Sequence, residues 1–533
     1  MSGMPAPEEK TENQTDESAG FVSFPHLIQR TALENPGLKV LTVEGTSVTW
    51  GQLILQINQV ANMLKARGLG RGDKVAVLAR SSIDYMTVFL GSLQAGVCIV
   101  PLSGMASSIQ LAGMIRDSGA KLLFASGTSL ELIDPYLGSL ATIAEEGYIA
   151  FDFQKPGWQG FSDVLQDAST EYHEVDIQPD DAFNLIYSSG TTGIPKGIEQ
   201  SHYMRYQHVI RFQAAGLETD AVTMIATALY SNTTLVALLP TLALGGRVVL
   251  MPKFETEEYL ILAEKEKATH TMLVPVQYQR LLAFDRFDDF DLSSFKVKLS
   301  TSAPLRVETK RDIVQRWPGK MFEIYGLTEG GIGTMLSVGD YPEKLSSVGK
   351  PGEGAEICII NESGDVLETG EVGEVVGRSR TMMTGYHNRP DLTEKMIWKS
   401  PTGQVFYKSG DMGRLDEDGF LYLLDRKKDM ILSGGFNIYA ADIEAELLMH
   451  PEVCDVAVIA VPSEQWGETP LGLVVLNKGS WPAAAEIKSW VNGRLGKAQR
   501  VSEIIIRDTL PRSSIGKILK RELREQYKAE TGG

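Results

Sequence analysis

Only three cysteines occur in 533 residues: Cys98, Cys358 and Cys454. They stand far apart and in no metal-ligating spacing, which excludes a disulfide scaffold and a cysteine-based metal centre. All three lie in apolar runs, so the expectation is buried core thiols in a reducing cytoplasm. Basic charge is also scarce, with 51 Lys and Arg against 68 Asp and Glu and a formal net charge of −17. A nucleic-acid binder needs a basic excess to neutralise phosphates, so no nucleic-acid partner is expected. Long uninterrupted apolar runs are missing as well. The strongest candidates, "VFLGSLQAGVCIVPL" and "TLVALLPTLALGGRVVLM", each contain Gly with Pro, Gln or Arg and split into a helix followed by a strand. No transmembrane segment is therefore expected. Residues 1–20 are mostly polar and acidic ("APEEKTENQTDESAG"), the reverse of a signal peptide, and read as a disordered tail.

What is present is ordinary globular composition, 43% apolar and 22% charged, at a length that allows several domains. Short apolar strands alternate with helices through the first two-thirds. "KVAVLAR", "VCIVPL" and "KLLFAS" are separated by helical "SSIDYMTVFLGSLQAG" and "ASSIQLAGMIRDSG". A second series runs "VTMIATAL", "TTLVALLPTLALGG", "RVVLM", "EEYLILAEKEKA", "HTMLVPV". This pattern predicts an α/β fold of largely parallel sheets covered by helices on both faces. From about Glu353 short alternating runs separated by turn residues predict antiparallel hairpins and a small barrel-like part. After "LLDRKKDMILSGGFNIY" a compact α+β pattern runs to the end. The expected division is a 1–20 tail, a 21–427 N-terminal domain and a 428–533 C-terminal domain, with the boundary at Lys428.

One stretch raises a chemical question. "YSSGTTGIPKG", Tyr187 to Gly197, follows apolar "FNLIY" and carries three glycines, four small hydroxyl residues and a lysine. It is not a Walker loop. Gly190 and Gly193 are too close, Pro195 precedes Lys196, Gly197 replaces the magnesium-binding hydroxyl, and the sequel "GIEQS" is extended. The logic of anion binding survives: glycines let backbone N–H groups converge, hydroxyls add donors, and Lys196 adds charge. Four further segments accompany it. "EIYGLTEGG" puts Thr328 and Glu329 just past a strand end, where α/β sheets hold ligands. "YKSGDMGRL" puts Asp411 in an exposed turn. "DRKKDMILSGGFNIY" carries Arg426, Lys428 and the Gly434–Gly435 pair, and "LPRSSIGKILKREL" carries Lys517.

In this order the segments strongly resemble the acyl-adenylate-forming superfamily of acyl-CoA synthetases, adenylation domains and beetle luciferases. The resemblance runs from about "VTWGQLILQINQVANML" to "GKILKREL" and includes "VGKPGEG" and "MMTGYHNRPDLTEKM". It implies that the loop, with Ser188, Ser189, Gly190, Thr191, Thr192, Gly193 and Lys196, holds ATP phosphates, joined by Thr328. Glu329 would hold Mg²⁺, a hard cation suited to a carboxylate plus phosphate oxygens. Ser302, Ala303 and Pro304 of "STSAPL", with Tyr325 and Gly326, would cradle adenine. Asp411 would take the ribose hydroxyls beside Arg426. Lys517 would bridge substrate carboxylate and α-phosphate, Lys428 would be the hinge, and Gly434 and Gly435 would face CoA. Leu229, Tyr230, Ser231, Val276, Gln277, Tyr278 and Gly330 are candidates for the acyl pocket.

The implied activity is ATP-dependent ligation of a carboxylic acid to CoA through an acyl-AMP. The expected partners are ATP, CoA and a small-molecule acid, in the cytoplasm, with a homodimer left open. "GGFNIY" resembles the form found in stand-alone CoA ligases. A free-standing adenylation enzyme loading a carrier protein is the first alternative. Its amino-acid substrates require an aspartate, and no acid lies between Ala228 and Leu244. A luciferase-like oxygenase shares nearly the same motifs. A catalytically silent nucleotide-binding homologue would have lost Lys517, Glu329 or the loop. Two departures stand out: Ser188 where threonine is more usual, and Ser231 after Tyr230 where many members have histidine. The shorter, uncharged Ser231 leaves room, so the expected acid is a medium-to-long fatty or aryl-alkanoic one. Burying each further CH₂ contributes ~0.8 kcal/mol, an advantage acetate cannot have.

Overall fold

The computed structural model describes residues 20–188, 195–214, 216–433, 436–513 and 516–531. The expected N-terminal tail lies outside this range except for Gly20. Ser189, Gly190, Thr191, Thr192, Gly193, Gly434 and Gly435 also lie outside the described residues.

The first sheet has eight strands. Six are parallel, running from the edge strand Gln159–Gly160 through Lys74–Leu78 and Cys98–Pro101 to β1 (Ala182–Ser188). β2 (Lys196–Ser201) then turns back on β1, pairing Lys196 with Ser188. α1 (His202–Ala214) follows directly.

The second sheet has nine strands and supplies the floor of the site. Its parallel series includes β3 (Val222–Ile225), which leads to α2 (Asn232–Ala243), and β4 (His270–Leu273), which leads to α3 (Pro275–Leu282). β5 (Val297–Ser300), α4 (Val307–Arg316) and β6 (Lys320–Gly326) follow, with β7 (Gly333–Ser337) antiparallel to β6. Strands covered on both faces bury nearly every position, so "VTMI" and "HTML" show no alternation of buried and exposed residues, and the polar Thr223, His270 and Thr271 are buried with the rest. One core unites the two sheets. Val75, Ile99 and Phe183 from the first share it with Val40, Ile225 and Val248 from the second, through the helices between them.

Beyond Lys350 the chain builds a five-stranded antiparallel sheet. β8 (Gly385–Tyr386) leaves it to pair with β2 of the first sheet. β9 (Val405–Leu415) and β10 (Leu421–Arg426) lie within it. Asp411 sits here in β9, not in an exposed turn, and is only 6% exposed. The turn-like "SGD" is a β-bulge: the register between Gly373–Arg378 and β9 slips between Glu374 and Val376, and Gly410 takes φ +69°.

A fourth sheet uses only strands after Met430, with α5 (Ala440–Leu448), β11 (Val453–Ser463) and α6 (Lys520–Thr531) attached. The thiols do not share one environment. Cys98 is buried, and burial pushes its pKa up to about 12. Cys358 is half-buried on the edge strand Glu356–Ile360, and Cys454 is exposed. Cys454 falls where the register of β11 slips between Val453 and Asp455, so the alternation that would bury it is broken.

Candidate active site

β3, β4, β5 and β6 all end at one cleft of about 1680 Å³. Such a position, beyond the carboxyl ends of parallel strands, is where open α/β sheets bind ligands. The opposite wall comes from the C-terminal part, including Asp429, Glu444, Asp455 and Lys517. Segments more than 300 residues apart in the chain thus face one space.

Ser302, Ala303 and Pro304 line the cleft directly after β5. Ser302 has φ +80°, a strained conformation for a side chain with Cβ, and its hydroxyl bonds Thr233 at 2.6 Å. The loop is held from below by buried Glu323 of β6, which accepts from the Leu305 N–H at 2.8 Å and pairs with Lys310 of α4 at 2.5 Å. Tyr325, two residues along β6, donates its hydroxyl to Asp411 at 2.7 Å. Burial and the Asp411 charge push the Tyr325 phenol up, so it stays a donor. Arg426, paired with Asp411 across β9 and β10, reaches the other carboxylate oxygen at 2.5 Å. Asp411 retains lone pairs for hydroxyl donors, because an ionised carboxylate offers about four acceptor sites.

Past Gly326, the Thr328 carbonyl accepts from Gln200 at 2.6 Å, which fixes this loop to β2. Glu329 accepts from the Tyr386 hydroxyl at 2.7 Å, and the Lys196 ammonium lies 5.0 Å from the Tyr386 ring centroid. Tyr386 is held there by the pairing of β8 with β2. Its phenol is pushed up by burial and by Glu329, so it too donates. Gly330, with φ +72°, lines the cleft where a Cβ would meet the Thr381 carbonyl oxygen at 1.6 Å. Only glycine fits that approach.

Lys517 enters from the other wall. Desolvation, reinforced by the charge of Arg426, lowers its ammonium to about 8, while the side chain remains open to the cleft. A clasp positions its loop. Arg512 donates to the Gly516 carbonyl at 2.6 Å and to Asp455 at 2.5 Å. Asp455 also faces Arg306, which follows the Ser302–Pro304 loop, at 3.7 Å. Gly516 itself lies against Val276, where a Cβ would be 2.9 Å from a side-chain carbon. Lys428 lies in the turn after β10 and lines the same cleft, and desolvation lowers its ammonium.

The expected acyl-pocket residues divide. Ser231, at the start of α2, Val276 and Gly330 line the cleft. Leu229 is core, Tyr230 is half-buried beside Tyr85, and neither lines it. Gln277 and Tyr278 are corrections. Gln277 is buried, accepting from Val274 N–H and donating to the Ala226 carbonyl. Tyr278 is fully buried, donating to the Leu299 carbonyl and packing on Trp317. The helical period of α3 explains both: Pro275, Val276 and Gln279 share the cleft face, and Tyr278, Leu281 and Leu282 the core face. Sequence reasoning missed Tyr386, Arg512 and Asp455. Tyr386 stood in the quoted "MTGYHNRP", but no local spacing ties it to Glu329.

Comparison with known proteins gives two family-model matches: AMP-binding enzyme over residues 28–387, and AMP-binding enzyme C-terminal domain over residues 442–517. Feruloyl-CoA synthase of an Amycolatopsis species is 31% identical over 502 residues, covering 93% of this chain and 98% of its own. The long-chain-fatty-acid–CoA ligase FadD13 of Mycobacterium tuberculosis is 28% identical, covering 94% of this chain and 98% of its own. The crystal structure of ATP-bound MatB from Rhodopseudomonas palustris, 28% identical, matches 95% of this chain and 99% of its own with a TM-score of 0.84. The apo form of the same protein, at the same coverage, gives 0.73.

Proposed function

The chain belongs to the AMP-binding enzyme family and is an AMP-forming acid–CoA ligase, and from that premise we propose how its residues divide the work. One observation carries the reading: Lys517 shares a cleft with Ser302–Pro304, Tyr325, Asp411 and Arg426, although it comes from the opposite wall. In the proposed adenylation step, Ser302–Pro304 and Tyr325 cradle adenine and Asp411 accepts from the ribose hydroxyls. Lys517 draws the substrate carboxylate and the α-phosphate together. Attack of one anion on another needs fixed positive charge, which Lys517 and Lys196 supply without reorganisation. The higher likeness to an ATP-bound relative than to its apo form supports reading this arrangement as the adenylating one.

Glu329 fits magnesium. Among the described residues no three His, Cys, Asp or Glu gather into a metal cage. An ion held by one carboxylate plus phosphate oxygens is the usual magnesium arrangement at nucleotides. Tyr386 occupies one carboxylate oxygen and fixes the orientation of the other. Magnesium bound there would offset charge on the departing pyrophosphate.

The C-terminal part, which we divide from the rest at Lys428, then turns to admit CoA. In support, the fourth sheet takes no described strand from before Ile431. The free thiols fit a cytoplasmic enzyme, and no described helix is long and apolar enough to cross a membrane. The acid is proposed to be medium-to-long or aryl-alkanoic, because Ser231, Val236, Ala237, Met272, Ile324 and Met335 offer small or apolar surface to the cleft. Comparing kcat/KM for acetate, butyrate, octanoate, palmitate and a phenylpropanoid tests this. The expected optimum lies beyond butyrate, and an optimum at acetate would overturn the size assignment.

A further inference from the structure

One wall of the cleft, formed by α1, carries a cation that the adenylation reading does not use. α1 turns Met204, His208, Arg211 and Phe212 to it, at i, i+4, i+7 and i+8, a single face of the helix. The Arg211 guanidinium rests on two glycines. A Cβ on Gly333 would meet Nη1 at 3.2 Å, and one on Gly352 would meet Nη2 at 3.1 Å. The absent side chains make a seat for the planar group.

Among the described residues Arg211 makes no ion pair, and its buried Nη2 has no hydrogen-bond partner. His208 Nδ1, one turn earlier, is likewise buried and unpartnered. The next cation along the helix, Arg205, bonds only the neutral amides of Asn184 and Gln200. Burial and the two flanking arginines push His208 far below its usual range, so it is neutral, while burial also lowers Arg211. Buried polar groups in folded proteins are nearly always bonded, and a buried charge without a partner is costly. Both residues are nevertheless only half-buried and line the cleft, so the guanidinium presents an open, unpaired edge to a ligand oxyanion. The guanidinium fork matches a carboxylate, and apolar Val236, Ala237, Met272 and Met335 line the same cleft.

We propose that Arg211, with His208, recognises a second carboxylate at the far end of the acid. The substrate is then a dicarboxylic acid with an apolar body, activated at one end only. This deepens the ligase reading and rests on it.

Matched acids of equal length test the inference: octanoate against suberate, and hexanoate against adipate, each as kcat/KM for acyl-CoA formation. The diacid is expected to win by about tenfold or more, as for a charge-assisted bidentate contact. Arg211→Met should abolish or invert the ratio, and Arg211→Lys should retain part of it. The ratio is taken within one protein, so altered yield or stability of a variant does not enter it. Should Arg211→Met not fold, the wild-type ratio decides alone. Equal or better use of the monoacids by the wild type would overturn the inference while leaving the ligase reading intact. So would 8-hydroxyoctanoate matching suberate, since a neutral donor would then suffice. AMP formation with no acid of either kind would overturn both.

Discussion

Tyr386 donates its hydroxyl to Glu329 at 2.7 Å while its ring lies beneath the Lys196 ammonium, so one side chain orders an anion and a cation of the proposed phosphate site. Glu329→Gln keeps size and removes charge. It should lower kcat and raise the magnesium needed for half-saturation. Tyr386→Phe keeps the ring and loses only the hydrogen bond, worth ~1.5 kcal/mol for a charged acceptor, so a loss of about tenfold is expected. An unchanged magnesium dependence in Glu329→Gln would refute the metal role.

Lys517→Ala should slow adenylation by roughly 10²–10³-fold, the usual cost of removing a fixed charge-stabilising group. Thioester formation from supplied acyl-adenylate should be spared. Because its folded-state pKa is lowered to about 8, the lysine is charged below that value and loses its proton above it. Adenylation kcat/KM should therefore fall as pH rises through about 8, and Lys517→Arg should move the fall upward. Equal damage to both half-reactions in Lys517→Ala would contradict the assignment.

Asp455 stands between Arg306 on one wall and Arg512 on the other, and Arg512 holds the carbonyl of Gly516. Asp455→Asn should weaken this clasp and slow adenylation by about tenfold, the cost of a charge-assisted bond. The proposed rotation opens the clasp before the thioester step, which should then be unaffected or faster. Both steps falling together would mean that the pair is structural only.

These contacts mark how far the sequence could be read. The glycine-rich loop, Glu329 and Lys517 announced themselves because their residue types and order are unusual locally. The parallel sheets were legible because strands buried on both faces are mostly apolar and alternate with helical runs. Asp411 was misjudged because Gly410 signals a turn and a bulge alike, and only the partner strand distinguishes them. Tyr386 and Glu329 are 57 residues apart, as are Arg512 and Asp455, so their pairing exists only in the fold. Gln277 and Tyr278 adjoin Val276 in sequence, but the helical period sends them to the other face.

Lys428→Pro tests the proposed hinge. The backbone bonds of this turn run from Lys427 to Gly410 and from Asp429 and Met430 to Arg426, so none of them is lost. Proline fixes φ near −65° and restricts the preceding residue, which should hold the present arrangement. Pyrophosphate release in a single turnover should stay near normal while acyl-CoA formation slows by roughly tenfold or more, as if a rotation step had lost about 1.4 kcal/mol. Steady thioester synthesis at the wild-type rate would move the hinge elsewhere.

The most direct measurement is product identity. The enzyme is incubated with ATP, Mg²⁺ and a panel of mono- and dicarboxylic acids, with and without CoA, and nucleotides and thioesters are quantified together. The account predicts pyrophosphate and enzyme-bound acyl-AMP without CoA, then AMP and acyl-CoA in equal amounts once CoA is added. ADP and phosphate as products, or AMP release indifferent to CoA across the panel, would contradict it.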